Sequence, residues 1–216
     1  MKNTYILLLA IIIISSCKEE IPIIDEPAPQ HQNHTTINEY FPNTIGTSWT
    51  YSVTDNYAHT HRKMTIIITD TLRHLDGTKL YKWSIDGDKD FWFIANCNDT
   101  LYRYATLENS TRNLLLILPF TVGNYWLNPS ISGYGYDTIR VLSKTEVSVP
   151  YGNYTQSFIV EDRNYGIDTR GRTTYSIVPI IGIVNLHTKT GGTIMDDYEW
   201  KLTDCHIVPK IITKEK

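Results

Sequence analysis

The chain has 216 residues, with 20 basic and 23 acidic side chains and a formal net charge of −3. That length suffices for one domain with a sizeable core. A mildly acidic chain with no cluster of lysine or arginine excludes a nucleic-acid-binding role. Fifteen tyrosines and five tryptophans, among many Thr, Ile and Val, favour strands over helices.

The chain opens with a charged start, Met1-Lys2-Asn3, and an apolar run from Tyr5 to Ile14. The run is shorter than the roughly 20 apolar residues that cross a bilayer and matches a secretory leader. It ends in Ile14-Ser15-Ser16-Cys17, an aliphatic-small-small-Cys pattern that resembles the bacterial lipobox. The resemblance implies cleavage after residue 16 and diacylation of the Cys17 sulfur, against the alternative of an ordinary leader that happens to contain a cysteine. Two or three acyl chains on one residue exceed the marginal hold of one, so such an anchor is stable. Lys18-Glu19-Glu20 follows and resembles the export tag of surface lipoproteins of the Bacteroidota. It implies an outer-membrane protein facing the medium, the alternative being a solvated charge cluster. Residues 17–39 then read as a flexible tether, with Pro22, Pro27 and Pro29 and a run of polar side chains that cannot build a core.

The folded part is expected over 40–208, with 209–216 as a tail. Trp49, Tyr51 and Val53 alternate with Thr50 and Ser52 after the Pro42 and Gly46 turn, the period of a half-buried strand. Further strands are expected over 62–72, 79–85, 91–95, 100–105, 136–149, 153–163, 172–178, 181–188 and 193–205, punctuated by Asp76-Gly77 and Asp86-Gly87. Only 114–118 could compete as a short helix, limited by Pro119. Phe41-Pro42…Gly46…Trp49 is echoed by Pro119…Gly123…Trp126, each tryptophan placed to plug one end of an apolar face. The expected fold is a single antiparallel all-β domain, a curved sheet or half-barrel.

Tyr40-Phe41-Pro42…Gly46…Trp49-Thr50-Tyr51, Val147-Ser148-Val149-Pro150-Tyr151-Gly152-Asn153-Tyr154 and Ile180-Ile181-Gly182-Ile183-Val184 with Tyr198-Glu199-Trp200-Lys201-Leu202 together resemble a broad group of Bacteroidota lipoproteins of unknown function. The resemblance covers most of 40–203 and brings no catalytic residues. By analogy of fold it points to the half-barrels of periplasmic lipoprotein carriers, which shelter acyl chains.

Candidate chemistry is sparse. Cys97 and Cys205 remain once Cys17 carries lipid, and an exported pair invites one disulfide, two unpaired buried thiols being the alternative. Asp70-Thr71-Leu72, Asp99-Thr100-Leu101 and Asp137-Thr138-Ile139 resemble the acceptor triplet for O-glycosylation of exported Bacteroidota proteins, which nominates Thr71, Thr100 and Thr138. The competing reading is a turn followed by a strand start. His59 and His61 share a strand face but lack a third ligand. Asp86, Asp88 and Asp90 start like a calcium loop, yet Phe91 and Cys97 hold the positions that need Gly and Glu. No metal site and no cofactor is therefore expected. Glu161-Asp162 and Asp196-Asp197 are adjacent on strands and so face opposite ways, which makes neither a catalytic dyad. Tyrosines beside Gly135 and Gly152 could stack on a sugar or a partner, though such rings more often pack back on the sheet.

The expectation is a membrane-anchored, non-catalytic binding or structural lipoprotein, partnered by the membrane and by a glycan, lipid or envelope protein. The alternatives are a carrier of an apolar ligand and a carbohydrate-active enzyme with a hidden site. Replacing Cys17 by Ala is expected to abolish palmitate labelling and release the protein from membranes; undiminished labelling would refute the anchor.

Overall fold

A computed structural model describes residues 36–108, 112–129, 136–165, 169–192 and 196–209. One helical turn, α1 (Ile37–Tyr40), precedes twelve strands: β1 (Ser48–Asp55), β2 (Thr60–Arg73), β3 (Lys79–Ile85), β4 (Asp90–Cys97), β5 (Thr100–Tyr104), β6 (Arg112–Ile117), β7 (Tyr125–Pro129), β8 (Tyr136–Val149), β9 (Gly152–Tyr165), β10 (Thr169–Val178), β11 (Gly182–Gly192) and β12 (Asp197–His206). They form one antiparallel sheet in the order β6-β5-β4-β3-β2-β1-β12-β11-β10-β9-β8-β7. Each strand therefore lies beside its neighbours in the chain, β12 returns to β1 (Trp49 opposite Cys205, Val53 opposite Trp200), and the two edges left over are β6 and β7.

Those edges meet. The Asn128 carboxamide on β7 donates through Nδ2 to the Leu114 carbonyl at 3.0 Å and accepts from the Leu114 N–H at 3.4 Å. One side chain thus does what a backbone residue would do in a ladder, and the expected curved antiparallel sheet is here a nearly closed barrel. Closure removes the unpaired edges that invite aggregation.

The alternation read in the sequence sets the inner face. Trp49, Tyr51 and Val53 from β1, Met64, Ile66 and Ile68 from β2, Trp83 and Ile85 from β3, and Val141, Val160, Ile177, Val184 and Leu202 from β8 to β12 belong to one buried cluster. A barrel of about eight strands is filled by ordinary side chains, whereas wider ones leave a lumen. With twelve strands, large aromatic rings do the filling.

One end is plugged from within. Ile37, fully buried, and Tyr40 and Phe41 enter the core, and the Tyr40 ring meets Phe120 and Phe158 at centroid distances of 5.1 and 6.3 Å. Ile180 N–H donates to the Glu39 carbonyl at 2.7 Å, pinning the turn to the β10–β11 connection. Gly182 permits this: its φ is 89°, and a Cβ there would stand 3.1 Å from the Phe41 ring. Ile37 thus belongs to the folded core, three residues before the expected boundary at 40. Residues 112–117, where a short helix could have competed, form strand β6, and 125–129 form a strand absent from the expected set.

The faint echo is a true structural repeat. Gly46 and Gly123 have φ near 90° (90° and 93°). Gly46 N–H donates to Ile68 O and Gly123 N–H to Val141 O, both at 2.8 Å; Ile68 N–H and Val141 N–H return bonds to Thr47 O and Asn124 O, both at 2.9 Å. The same corner therefore starts β1–β2 and β7–β8, and each half of the barrel opens on it. A second, smaller cluster of Leu80, Phe93, Ala95 and Tyr104 lies on the other face of β3–β5.

Asn128→Ala removes both seam bonds and leaves a backbone N–H and C=O without partners. The expected cost is about 2 kcal/mol in a chemical unfolding curve, with faster amide exchange confined to β6 and β7. Unchanged exchange there would show that the seam is held by something else.

Candidate functional site

The inner rows change character toward the end of the barrel that carries the β1–β2, β9–β10 and β11–β12 turns. Paired residues of an antiparallel sheet share a face. One inward row runs Val141, Val160, Tyr175, Leu186, Trp200, Val53, and the next, nearer that end, runs Ile139, Asp162, Thr173, Thr188, Tyr198, Asp55. The lining turns from apolar to polar within two residues of each strand.

A cavity of about 210 Å³ occupies this transition, its wall including Trp49, Tyr51, Trp83, Trp92, Arg103, Thr173, Tyr175, Thr188 and Trp200. Trp92 and Trp200 lie parallel, with centroids 6.4 Å apart and planes 8° from coplanar, and Trp49 lies against Trp83 at 4.9 Å. Trp200 also borders a neighbouring space of about 270 Å³ with Asp55, Thr60, Arg62 and Tyr198. An engineered apolar cavity near 150 Å³ holds benzene, and pockets for drug-sized ligands start at about 300 Å³. The space therefore suits a single ring.

The polar groups of the wall fall into two sets. Those of the floor are satisfied: Trp49 Nε1 donates to Ile181 O at 2.7 Å, Trp83 Nε1 to Asn43 Oδ1 at 2.9 Å, and Tyr51 OH to Ile183 O at 2.9 Å. In the upper wall the Thr173 and Thr188 hydroxyls meet at 3.1 Å, while Arg103 and Tyr175 are not satisfied in this way. Arg103 is exposed to solvent along part of its side chain; its guanidinium sits 5.1 Å over the Trp92 ring and, among the described residues, has neither an ion pair nor a hydrogen bond. Burial pulls it down, while Asp90 and Tyr175 pull it back up. The Tyr175 phenol is pushed up by burial first, further by Asp162, and back down by Arg103, so it stands in the field of both.

Asp162 and Asp137 lie just outside this wall, Asp162 opposite Thr173, which belongs to it. Ile139 lies opposite Asp162, and Asp137 lies two residues before Ile139 on the same face. Asp137 is 8% exposed, and the Oδ1 atoms of both carboxyls are closed off without a hydrogen-bond partner among the described residues. Burial, and then the charge of Asp137, push Asp162 up to about 6; burial raises Asp137 as well.

The residues singled out from the sequence are placed as follows. Cys17 lies outside the described residues, as does Gly135. Cys97 and Cys205 are free thiols, which corrects the expected bridge. They sit on β4 and β12 with β3, β2 and β1 between them, about 19 Å along the sheet at ordinary strand spacing, against the roughly 7 Å a disulfide spans. Burial, then Asp204, pushes the Cys205 thiol up to about 11. Thr71, Thr100 and Thr138 are half-buried on β2, β5 and β8. His59 and His61 are exposed, His61 Nδ1 lying 3.0 Å from Thr54 Oγ1. Asp86 anchors a hairpin by accepting from Thr65 N–H at 2.8 Å and pairing with Arg62 at 3.1 Å. Glu161 and Asp162 do face opposite ways, Glu161 pairing with Arg163 and Arg172. Tyr154 packs on the core, and Tyr151 OH donates to Cys205 O at 3.3 Å.

Sequence reasoning missed Arg103 and the Asp137–Asp162 pair. The available signal was a charge at an inward-phased position: Arg103 follows Leu101, and Asp137 precedes Ile139, each by two.

No family model matches the sequence, and no curated protein matches it. Two solved structures align with it. One is a protein from Bacteroides fragilis described as exported and as having a YmcC-like fold, at 10% identity and a TM-score of 0.45. The other is described as a lipoprotein, from Parabacteroides distasonis, at 10% identity and a TM-score of 0.40. Each alignment covers 77% of this chain and 98% of the other. At that level neither bears on what the barrel holds, and the fold rests on the strand pairing itself.

Asp162 has a folded value near 6, above its unfolded one. The folded state therefore keeps its proton where the unfolded state has lost it, and this residue's contribution to stability falls as pH rises from about 4 to 6. Asp162→Asn is expected to be more stable than the parent at pH 8, by about 2 kcal/mol, with the advantage gone below pH 4. Thermal unfolding at both pH values checks this; an equal gain at both would contradict it.

Proposed function

We propose that this chain is an envelope lipoprotein, acylated at Cys17 and displayed from the outer membrane toward the medium, whose barrel binds a small ring-bearing molecule without turning it over. The address is supported by Ile14-Ser15-Ser16-Cys17 and Lys18-Glu19-Glu20. The binding role is supported by one observation: four of the five tryptophans line a single 210 Å³ cavity. Indole rings offer flat, polarisable area at little entropic cost, and ring-on-ring contact adds about 0.5–1.5 kcal/mol beyond burial.

A carrier of acyl chains fits poorly. The space is below the size of a drug-like pocket, and Phe41 is part of its wall. A hydrolytic role has one observation in its favour, the Asp162 carboxyl pushed up by burial and by the nearby charge of Asp137. Such pairs serve general acid–base chemistry when substrate reaches them.

Ligand-observed magnetic resonance on the detergent-solubilised protein, with a panel of monocyclic compounds, tests the reading. Hits are expected that weaken about tenfold in Trp200→Leu and are recovered intact after prolonged incubation. A panel without hits, or palmitate competing them out, would overturn the binding role. Cleavage of a glycosidic hit would move the assignment to the enzyme.

A further inference from the structure

The two sets of polar groups in the cavity wall narrow the ligand class. Trp49, Trp83 and Tyr51 have spent their donors on Ile181 O, Asn43 Oδ1 and Ile183 O, so the floor offers only ring faces. Above it stand the Arg103 guanidinium and the Tyr175 phenol, and beside them, opposite the wall residue Thr173, the Asp162 carboxyl, whose charge reaches Tyr175; none of the three has a hydrogen-bond partner among the described residues. A ligand that is apolar throughout would bury these groups unpaired, at about 1–3 kcal/mol each. An anion suited to Arg103 would face Asp90, Asp162 and Asp137, and a cation suited to the carboxyls would face Arg103. A neutral group that both donates and accepts meets all of them, and a hydroxyl is the simplest such group.

We infer that the cavity is built for a neutral polyhydroxylated ring of the pyranose class, one face laid on Trp92 and Trp200 and its hydroxyls turned to Arg103, Tyr175 and the rim at Thr173, where Asp162 stands alongside. This rests on the reading of the barrel as a ring-binding protein and supplies its ligand class. The chemistry of such a ring is amphipathic in the same sense as the wall. Its axial C–H groups form an apolar face that stacks on indole, and its rim carries vicinal hydroxyls. A guanidinium donates two parallel bonds to neighbouring oxygens, which an ammonium cannot do from one point. A carboxylate accepts from a hydroxyl. Thr173 and Thr188, opposite each other at the rim with their hydroxyl oxygens 3.1 Å apart, continue this polar band around the barrel. Asp137, behind Asp162, keeps the local charge negative, which disfavours an acidic sugar.

The test compares, on the same protein, glucose and N-acetylglucosamine with glucuronate and with cyclohexanol, a ring of similar size carrying one hydroxyl. Calorimetry or saturation transfer is expected to show at least one neutral pyranose binding about tenfold or more tighter than cyclohexanol and glucuronate. Arg103→Lys and Asp162→Asn should each weaken that sugar about tenfold while leaving cyclohexanol unaffected. Unfolding curves establish that both variants are folded, and the comparison of ligands on the parent protein stands without them. Cyclohexanol binding as well as any pyranose, with no response to either variant, sinks this inference and leaves the ring-binding reading intact. Binding of glucuronate in preference to the neutral sugars also overturns it. Failure of every ring compound overturns both.

Discussion

The structure depends on filling a twelve-stranded barrel. Strand number sets the width of a closed sheet, and twelve strands enclose more room than Val, Ile and Leu can occupy. The chain fills it with rings: Trp49 on Trp83, Tyr51 against Trp200, Tyr40 with Phe120 and Phe158. Rings are rigid and do not interdigitate as completely as branched aliphatic chains. A remnant of about 210 Å³ is left where the packing of the floor gives way to the polar rows. Fold and site are thus two consequences of one packing problem.

Closure is asymmetric in an informative way. The two halves begin with the same glycine corner, at Gly46 and Gly123, and the same return bonds to Ile68 and Val141. At one junction β1 and β12 form a full ladder. At the other, β7 is only five residues long, and one carboxamide, Asn128, replaces the ladder. Repetition explains how so wide a barrel can be built from a single meander. The shortness of β7 explains why its second junction is a side-chain clasp.

The placement of charge shows how structure adds meaning to residues that look ordinary. Asp137 belongs to a triplet that resembles a glycosylation acceptor, and Arg103 to an unremarkable Tyr-Arg-Tyr run. Both point inward because the strand period puts them in phase with Ile139 and Leu101. Glu161 and Asp162, equally acidic and adjacent, part company for the same reason: one is neutralised by two arginines, the other left facing the lumen.

By itself the sequence determined the all-β class, the antiparallel order, the hairpin turns and the inward phase of β1 and β2. Each of these follows from neighbours a few residues apart, through alternation, turn chemistry and β-propensity. The lipobox-like motif at Cys17 is likewise local. Only the tertiary structure decided that the sheet closes, that 112–117 and 125–129 are its edges, and that Ile37 belongs to the core. It also decided that Cys97 and Cys205 lie too far apart to bridge. The cavity is of this second kind. Trp49, Trp92, Arg103, Tyr175, Thr188 and Trp200 come from six strands, and their meeting depends on barrel width and register, which no short stretch of sequence encodes.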